Sequence, residues 1–509
     1  MVKTMYSYRN PIIPGFNPDP SMCRDGEDYY LATSSFEFFP GVPIYHSRNL
    51  VNWKLIAYCL ARPEQLPLEN CPASAGIYAP TIRKHEGVFY MTTTNISGAG
   101  NFIVYATDIH GPWSDPVYVD QSGIDPSLLF VGRKAYFCSN GGYKGENGIF
   151  LCEVDPKSGR KLTDSICISK GCGGRFAEAP HIYFINDWYY LILAEGGTEY
   201  GHMVTLQRSR SIYGPYEACP NNPVLSHRDR GGHPIQAVGH ADIFEDHKGA
   251  WWMVCLGIRP AQGMLHHLGR ETFLLPLKWE NDWPLPAALL ELEMEAPLPE
   301  KPEKPGFDFE TDFSSDASEL DWNYIRAKDP SCFERREGKF CLKANAQRLS
   351  DPGSSPAFAG IRQKFFDMEA VTVLSLLDTK PGTAAGITAF YNNDYHYDLF
   401  IEKSEEFFSV ILNRRIHDLE AVVFKKEIDG PGEKAELRIR ADRKSYHFAF
   451  RIDDGQWHSC GSALTAGLST EGTHAMTFTG VYIGLFCNSG EAVFDCFSVK
   501  ETIHGEKRI

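Results

Sequence analysis

Five times in roughly its first 260 residues the chain repeats one pattern, in which a Pro or Asp anchor follows small or acidic residues and an aromatic residue stands ten positions later. The anchors are Pro20, Pro80, Pro126, Pro180 and Asp242, and their partners are Tyr30, Tyr90, Tyr136, Tyr190 and Trp252. The partners fall in the runs DGEDYYLATSS, EGVFYMTTTN, VGRKAYFCSNG, INDWYYLILAEG and HKGAWWMVCLG, so each unit reads strand, polar turn, aromatic strand. A hairpin of this kind cannot bury both faces alone, and its copies must pack on one another around an axis. Five units predict a five-bladed β-propeller.

The repeat also aligns positions that are far apart in sequence. Immediately before the anchors stand Asp19, Ala79, Asp125, Ala179 and Ala241, and one place earlier stand Pro18, Tyr78, Ile124, Glu178 and His240. If each anchor marks the innermost strand of its blade, Asp19, Asp125 and Glu178 meet in one central funnel with Tyr78 and His240. Glu178, one position earlier than the aspartates, should point differently. Asp-Pro is also a favoured turn dipeptide, and any one of them alone reads as a solvated turn. Three carboxylates at matched repeat positions favour an active site instead.

At 509 residues the chain exceeds one ordinary domain. The run EAPLPEKPEKPG, Glu295 to Gly306, has the Pro and charge content of a semi-rigid linker, and the aromatic repeat stops there. Beyond it, short runs such as AVTVLSLL, AELRIRAD and GVYIGLFC alternate apolar and polar residues between Gly, Asp and Asn turns, as a β-sandwich does. Helical periodicity is weak throughout. The expectation is an all-β chain with a propeller over 1–298, a linker over 299–306 and a sandwich over 307–509.

Charge and composition narrow the partners. Fifty basic against 65 acidic residues leave a net charge of −15, which disfavours a nucleic-acid backbone and suits an uncharged ligand. No apolar run approaches the ~20 residues that cross a bilayer and no export signal opens the sequence, so a cytoplasmic protein with no membrane partner is expected. The 14 cysteines lack metal-ligand spacing, and Cys167 and Cys172 are too far apart for a CxxC pair; idle thiols in a reducing compartment are the expectation. The sequon at Asn95, Ile96 and Ser97 is then without consequence.

The runs NPIIPGFNPDPS, GIYAPTIR, GIDPSLLF, EAPHIY, AEGGTEYGHM, GHADIF and HHLGRETFLLPL resemble the β-xylosidase and α-L-arabinofuranosidase branch of glycoside hydrolase family 43 over essentially the full length. The resemblance implies a concanavalin-like sandwich at the propeller's active-site mouth and an inverting hydrolase, with Asp19 as general base, Glu178 as general acid and Asp125 as the modulator of its pKa. It also implies that Arg270 binds the carboxylates or sugar hydroxyls, that His240 lies at the funnel base and that Thr198 contacts substrate, although a turn role for Thr198 is nearly as strong. Relatives lend the pocket rim an aromatic from the C-terminal domain, for which Phe478 and Tyr482 are the candidates. In some relatives a calcium ion lies on the propeller axis near the equivalent histidine; such an ion at His240, held through water, is left open, and no cofactor is required for the chemistry.

The chemistry demands these residue types. Inverting hydrolysis needs an acid to protonate the leaving oxygen and a base to activate water on the opposite face of the sugar, with carboxyls about 6.5–9.5 Å apart. A Glu in water would be ionised at neutral pH, so a negative neighbour such as Asp125 should raise the pKa of Glu178. Asp19 must stay ionised, which Arg270 would favour; an ordinary surface ion pair is the alternative for Arg270. Phe36 and Tyr78 can stack on the apolar face of a pyranose, with core packing as the competing explanation. Many relatives carry Trp where this chain has Tyr78.

Three functions follow: a β-xylosidase releasing D-xylose from non-reducing ends of xylo-oligosaccharides, an α-L-arabinofuranosidase or bifunctional enzyme acting on arabinosylated oligosaccharides, or a non-catalytic carbohydrate-binding propeller. Binding alone needs no matched acid and base, which disfavours the third. A homo-oligomer is left open.

Overall fold

In the computed structural model, which describes residues 4–143, 145–304, 306–377, 380–428 and 434–502, each anchor stands in or just before the innermost strand of a sheet. These strands are Ser21–Asp25, Thr81–His85, Ile124–Val131, Glu178–Ile185 and Gln236–Glu245. Each starts a four-stranded antiparallel blade, and the fourth blade gains the short strand Leu225–Ser226. Every inner strand touches the next and the first touches the fifth, which closes a five-bladed ring. The N-terminal segment clasps the last blade: Tyr6–Arg9 pairs with Glu293–Ala296, and Ile12 donates to the Thr272 carbonyl at 2.9 Å.

The aromatic partners lie in the second strand of each blade, where they pair across to the inner strand. Tyr30 faces Cys23, Tyr90 faces Arg83, Tyr136 faces Leu129 and Tyr190 faces Tyr183, each partner three residues past its anchor. Trp252 instead faces Phe244, two past Asp242. The reason is local: this inner strand carries two register shifts, at 236/239 and 239/242, where the third and fourth carry one each. The repeat position before the anchor is therefore His240 in blade five, not Ala241. Backbone angles agree, because Asp19, Asp125, Ala179 and His240 all have φ between 46° and 57°.

Asp242 itself is structural. Its Oδ2 accepts from Ser21 Oγ at 2.8 Å, Met22 N at 3.0 Å and Arg83 Nη1 at 2.9 Å, and its Oδ1 accepts from Tyr183 Oη. Four blades are tied at this one carboxylate. Burial opposes its charge, but Arg83 foremost holds its pKa far below the usual carboxylate range.

Beyond residue 308 the chain builds an eight-stranded and a six-stranded antiparallel sheet, packed face to face. Met368–Leu376 alternates buried and half-buried residues without a break, as a strand with one covered face must. Ala384–Asn392 is buried at every position because both its faces are covered. Ile387, Ala389 and Tyr391 enter the sandwich core, while Phe390 joins Phe16, Phe36, Phe38, Phe358, Tyr482 and Phe486 in a separate aromatic core against the propeller. Tyr324–Ile325 pairs with Phe38–Phe39, so the two parts also share backbone hydrogen bonds. In the expected linker, Glu300 meets Arg48 at 3.3 Å and Glu303 N donates to Asn52 Oδ1 at 2.8 Å, laying the chain along blade one; Pro305 falls outside the described residues.

Candidate active site

A left-handed residue early in an inner strand breaks the strand's alternation, so neighbours offset by one position can face the same space. This brings Asp19, Asp125 and Glu178 into one pocket of about 280 Å³ on the propeller axis. Glu178, one position earlier in its repeat than the two aspartates, shares their pocket for this reason. Tyr78, His240, Phe36, Thr198 and Arg270 line it as well. The position equivalent to Glu178 in blade five is Gly239, and a Cβ there would sit 2.2 Å from the His202 ring. Its absence admits His202 to the pocket wall.

Asp19 is held on three sides. Ser34 Oγ donates to its Oδ2 at 2.5 Å, Arg270 Nη1 donates to its Oδ1 at 3.2 Å, and His240 Nδ1 lies 3.3 Å from the same oxygen. Burial raises the pKa of Asp19, but Arg270, His240 and the Ser34 hydroxyl outweigh it and hold the carboxyl below its ordinary value. Burial also lowers the pKa of His240, which leaves the Arg270 guanidinium as the foremost charge acting on Asp19.

The other two carboxyls behave oppositely. Burial first, then the charge of Asp19, raises Glu178 from its ordinary 4.5 to about 7. Burial, Glu178 and Asp19 together push Asp125 well above its ordinary value, although Asp125 Oδ2 accepts from Ala179 N at 3.2 Å. Both carboxyls are therefore biased toward their protonated forms. The expected order of causes is altered: burial leads at Glu178, and Asp19 rather than Asp125 is the charged neighbour that raises it.

Arg270 gathers the site across the domain boundary. It donates to Thr198 Oγ1 at 3.1 Å and to the Phe478 carbonyl at 3.4 Å, and its guanidinium lies 5.6 Å from the Phe36 ring centre and 5.4 Å from that of Phe478. At 7% exposure it is no surface pair. Of the two C-terminal aromatics, Phe478 lines the pocket and Tyr482 does not. Tyr482 stacks on Phe38 at 4.1 Å inside the interdomain core, because its strand turns this face toward the propeller. Phe36 is 2% exposed and contributes an edge to the pocket floor, whereas Tyr78, 5.2 Å from it, is half-buried.

Several lining residues escaped the sequence reading: Arg175 and Phe176 just before Glu178, Glu199 and His202 beside Thr198, and Met476 beside Phe478. Arg175 pairs with Glu199 at 3.2 Å at the mouth. His202 Nδ1 donates to the Ala237 carbonyl at 3.0 Å, and burial lowers its pKa to about 4, so it is neutral. The signal in each case was proximity in sequence to a motif residue, which does not say which neighbour faces inward.

The side chains around His240 do not form a protein-ligated calcium site among the described residues. Among the described residues no three His, Cys, Asp or Glu groups converge on one point, and Asp19 and Asp242 near His240 are committed to Arg270 and Arg83. The donor set does not fit a protein-ligated cation. Asn95 of the sequon is 3% exposed, with Nδ2 on the Pro67 carbonyl at 3.2 Å, which leaves no room for a glycan. All 14 cysteines are free thiols.

Comparison with known proteins bears on the whole chain. Residues 8–284 match the family model for glycosyl hydrolases family 43, and residues 310–500 match that for the β-xylosidase C-terminal concanavalin A-like domain. The chain is 40% identical to the non-reducing end α-L-arabinofuranosidase BoGH43B of Bacteroides ovatus, over 97% of this chain and 95% of that one. It is 38% identical to a xylosidase/arabinosidase of Butyrivibrio fibrisolvens, over 78% and 80%. A crystal structure of xylan β-1,4-xylosidase from Bacillus halodurans superposes with a TM-score of 0.89 at 32% identity, covering 97% of this chain and 100% of that one.

Proposed function

The chain belongs to glycoside hydrolase family 43 and is a glycosidase that cleaves O-glycosyl bonds, and from that premise we propose that it is an exo-acting, inverting β-xylosidase that releases D-xylose from non-reducing ends of xylo-oligosaccharides. The observation that carries this reading is the opposed state of like groups in one small pocket: Asp19 held ionised by Arg270, and Glu178 raised to about 7. A pocket of about 280 Å³ suits one terminal pentose better than the interior of a chain.

In the proposed reaction Asp19 takes a proton from a water molecule as its oxygen attacks the anomeric carbon. Glu178 gives its proton to the glycosidic oxygen as the bond to the leaving sugar breaks. The Ala179 N–H favours the ionised form of Asp125, which supports placing the proton on Glu178. Arg270 then keeps the base from competing for that proton, and Thr198 and the Phe478 carbonyl hold Arg270 in place. Phe36, Tyr78 and Phe478 offer C–H contacts to the sugar ring, and His240 and His202, both neutral, offer hydrogen bonds to hydroxyls.

A second reading, cleavage of α-L-arabinofuranosides in the same pocket, is favoured by the names of the relatives from Bacteroides ovatus and Butyrivibrio fibrisolvens. Proton NMR of the first product from a β-xyloside decides the stereochemistry. α-Xylose before mutarotation is expected, and initial β-xylose would overturn the role given to Asp19. Relative kcat/KM on nitrophenyl xyloside and arabinofuranoside decides between the substrates.

A further inference from the structure

Behind the wall formed by residues 473–478 lies a second cavity of about 280 Å³, between the sandwich and the turn that carries Pro72 and Ala73. Met476, 45% exposed, lines both this cavity and the carboxylate pocket, so one flexible apolar side chain stands between them. The wall is held firmly. Tyr391 Oη lies 2.6 Å from the hydroxyls of both Thr470 and Thr477, and Tyr395 Oη accepts from His474 N at 2.9 Å.

The floor of the cavity offers hydrogen bonds that the protein leaves unused. The side chains of Asn392 and Asn393 are on residues only 5% and 9% exposed. Asn392 Oδ1 accepts from Asp394 N at 2.9 Å, and Asn393 Nδ2 donates to Asp394 Oδ1 at 3.1 Å. Among the described residues no hydrogen-bond partner meets Asn392 Nδ2 or Asn393 Oδ1, and neither is among the buried unpartnered atoms, so both residues, which line the cavity, keep an accessible donor and acceptor. Accessible amide atoms in a cavity can exchange water for a polar guest. Charge is balanced there, since Asp394 is met by Arg415 at 3.4 Å. Pro72, Pro352 and Tyr395 supply apolar surface beside the amides. Paired donor and acceptor, apolar walls and no unmatched charge are the chemistry of a neutral sugar.

We propose that this cavity binds a sugar residue on the leaving side of an oligosaccharide whose terminal pentose occupies the carboxylate pocket, with the chain passing over Met476. The proposal rests on the glycosidase reading of that pocket and assigns a second, non-catalytic recognition site to the sandwich. Two variants test it: Ala475→Trp, at an exposed position that lines only the second cavity, fills it, and Asn392→Ala removes the free donor. With unchanged melting temperatures, both should lower kcat/KM on xylotriose and arabinosylated xylotriose about tenfold through KM, the scale of one or two neutral hydrogen bonds. Turnover of nitrophenyl xyloside and arabinofuranoside should stay within about twofold, because a nitrophenyl group makes no such bonds. Equal losses on both substrate classes, or no loss on oligosaccharides, would overturn the proposal. A second readout is independent of turnover. In saturation-transfer NMR on Asp19→Ala protein, Ala475→Trp should abolish contacts to the reducing-end sugar of xylotriose and keep those to the terminal one; unchanged contacts would overturn it equally. Failure of the glycosidase reading would show differently, as no hydrolysis of either class by the unaltered protein.

Discussion

Asp19 sits on the blade-one wall of the pocket, and Asp125 and Glu178 sit across the ring on blades three and four. Burial pushes all three carboxyls toward their protonated forms, and only Asp19 escapes, because Arg270, His240 and Ser34 converge on it. The far wall receives a single backbone N–H at Asp125 and no cation within hydrogen-bond reach among the described residues. All three are carboxyls that burial raises, yet their charge states differ. The placement of one guanidinium separates base from acid.

Removing the group on the near wall should have the largest effect. Asp19→Ala is expected to lower kcat by about 10²- to 10⁴-fold on poor and activated substrates alike, since the water needs its base whatever the leaving group. Azide, as an external nucleophile, should restore part of the activity. Glu178→Ala should cost a comparable factor on xylobiose but far less on aryl glycosides, whose leaving groups need little protonation. If steady-state kinetics gave both variants the same dependence on the leaving group, the two walls would not differ in role.

The guanidinium itself is tested by the pH profile. Activity should rise as Asp19 ionises and fall as Glu178 loses its proton through about 7. Arg270→Met should move the acidic limb upward by about 1–3 pH units, the usual influence of one adjacent cation. The basic limb should move upward less or not at all, and a profile displaced as a whole would argue against selective action on Asp19.

Stability offers the smallest contrast and the sharpest sign. Glu178 has a folded pKa raised from 4.5 to about 7, so the folded protein binds more protons than the unfolded one in that window, and stability falls as pH rises through it. Glu178→Gln should therefore raise the melting temperature at pH 8. Asp19 is depressed, and its ionised form adds stability that is lost as pH falls through its folded pKa. Asp19→Asn should lower the melting temperature at pH 8, because it leaves Arg270 buried without its counter-charge. Thermal shifts of the same sign would break the comparison.

The blades and their order were legible in the chain because an aromatic hairpin repeat is local information, set by short spacings that any copy displays by itself. The carboxylates Asp19, Asp125 and Glu178 were legible for the same reason, each fixed to its own anchor. The tertiary structure alone decided the rest. Two register shifts in one strand made His240 rather than Ala241 the match to Asp19, and left-handed backbone turned Glu178 toward the aspartates. Packing of the sandwich sent Phe478 to the pocket and Tyr482 into the interdomain core, and it made a second cavity from Pro72, Asn392 and Met476, which share no motif. The resemblance pointed Arg270 at the carboxylates, but only the closed ring sets it 3.2 Å from Asp19, 251 positions away in the chain. Which buried carboxyl keeps its charge depends on distances of a few ångströms between residues that only closure of the ring brings together, and no spacing along the chain encodes those distances.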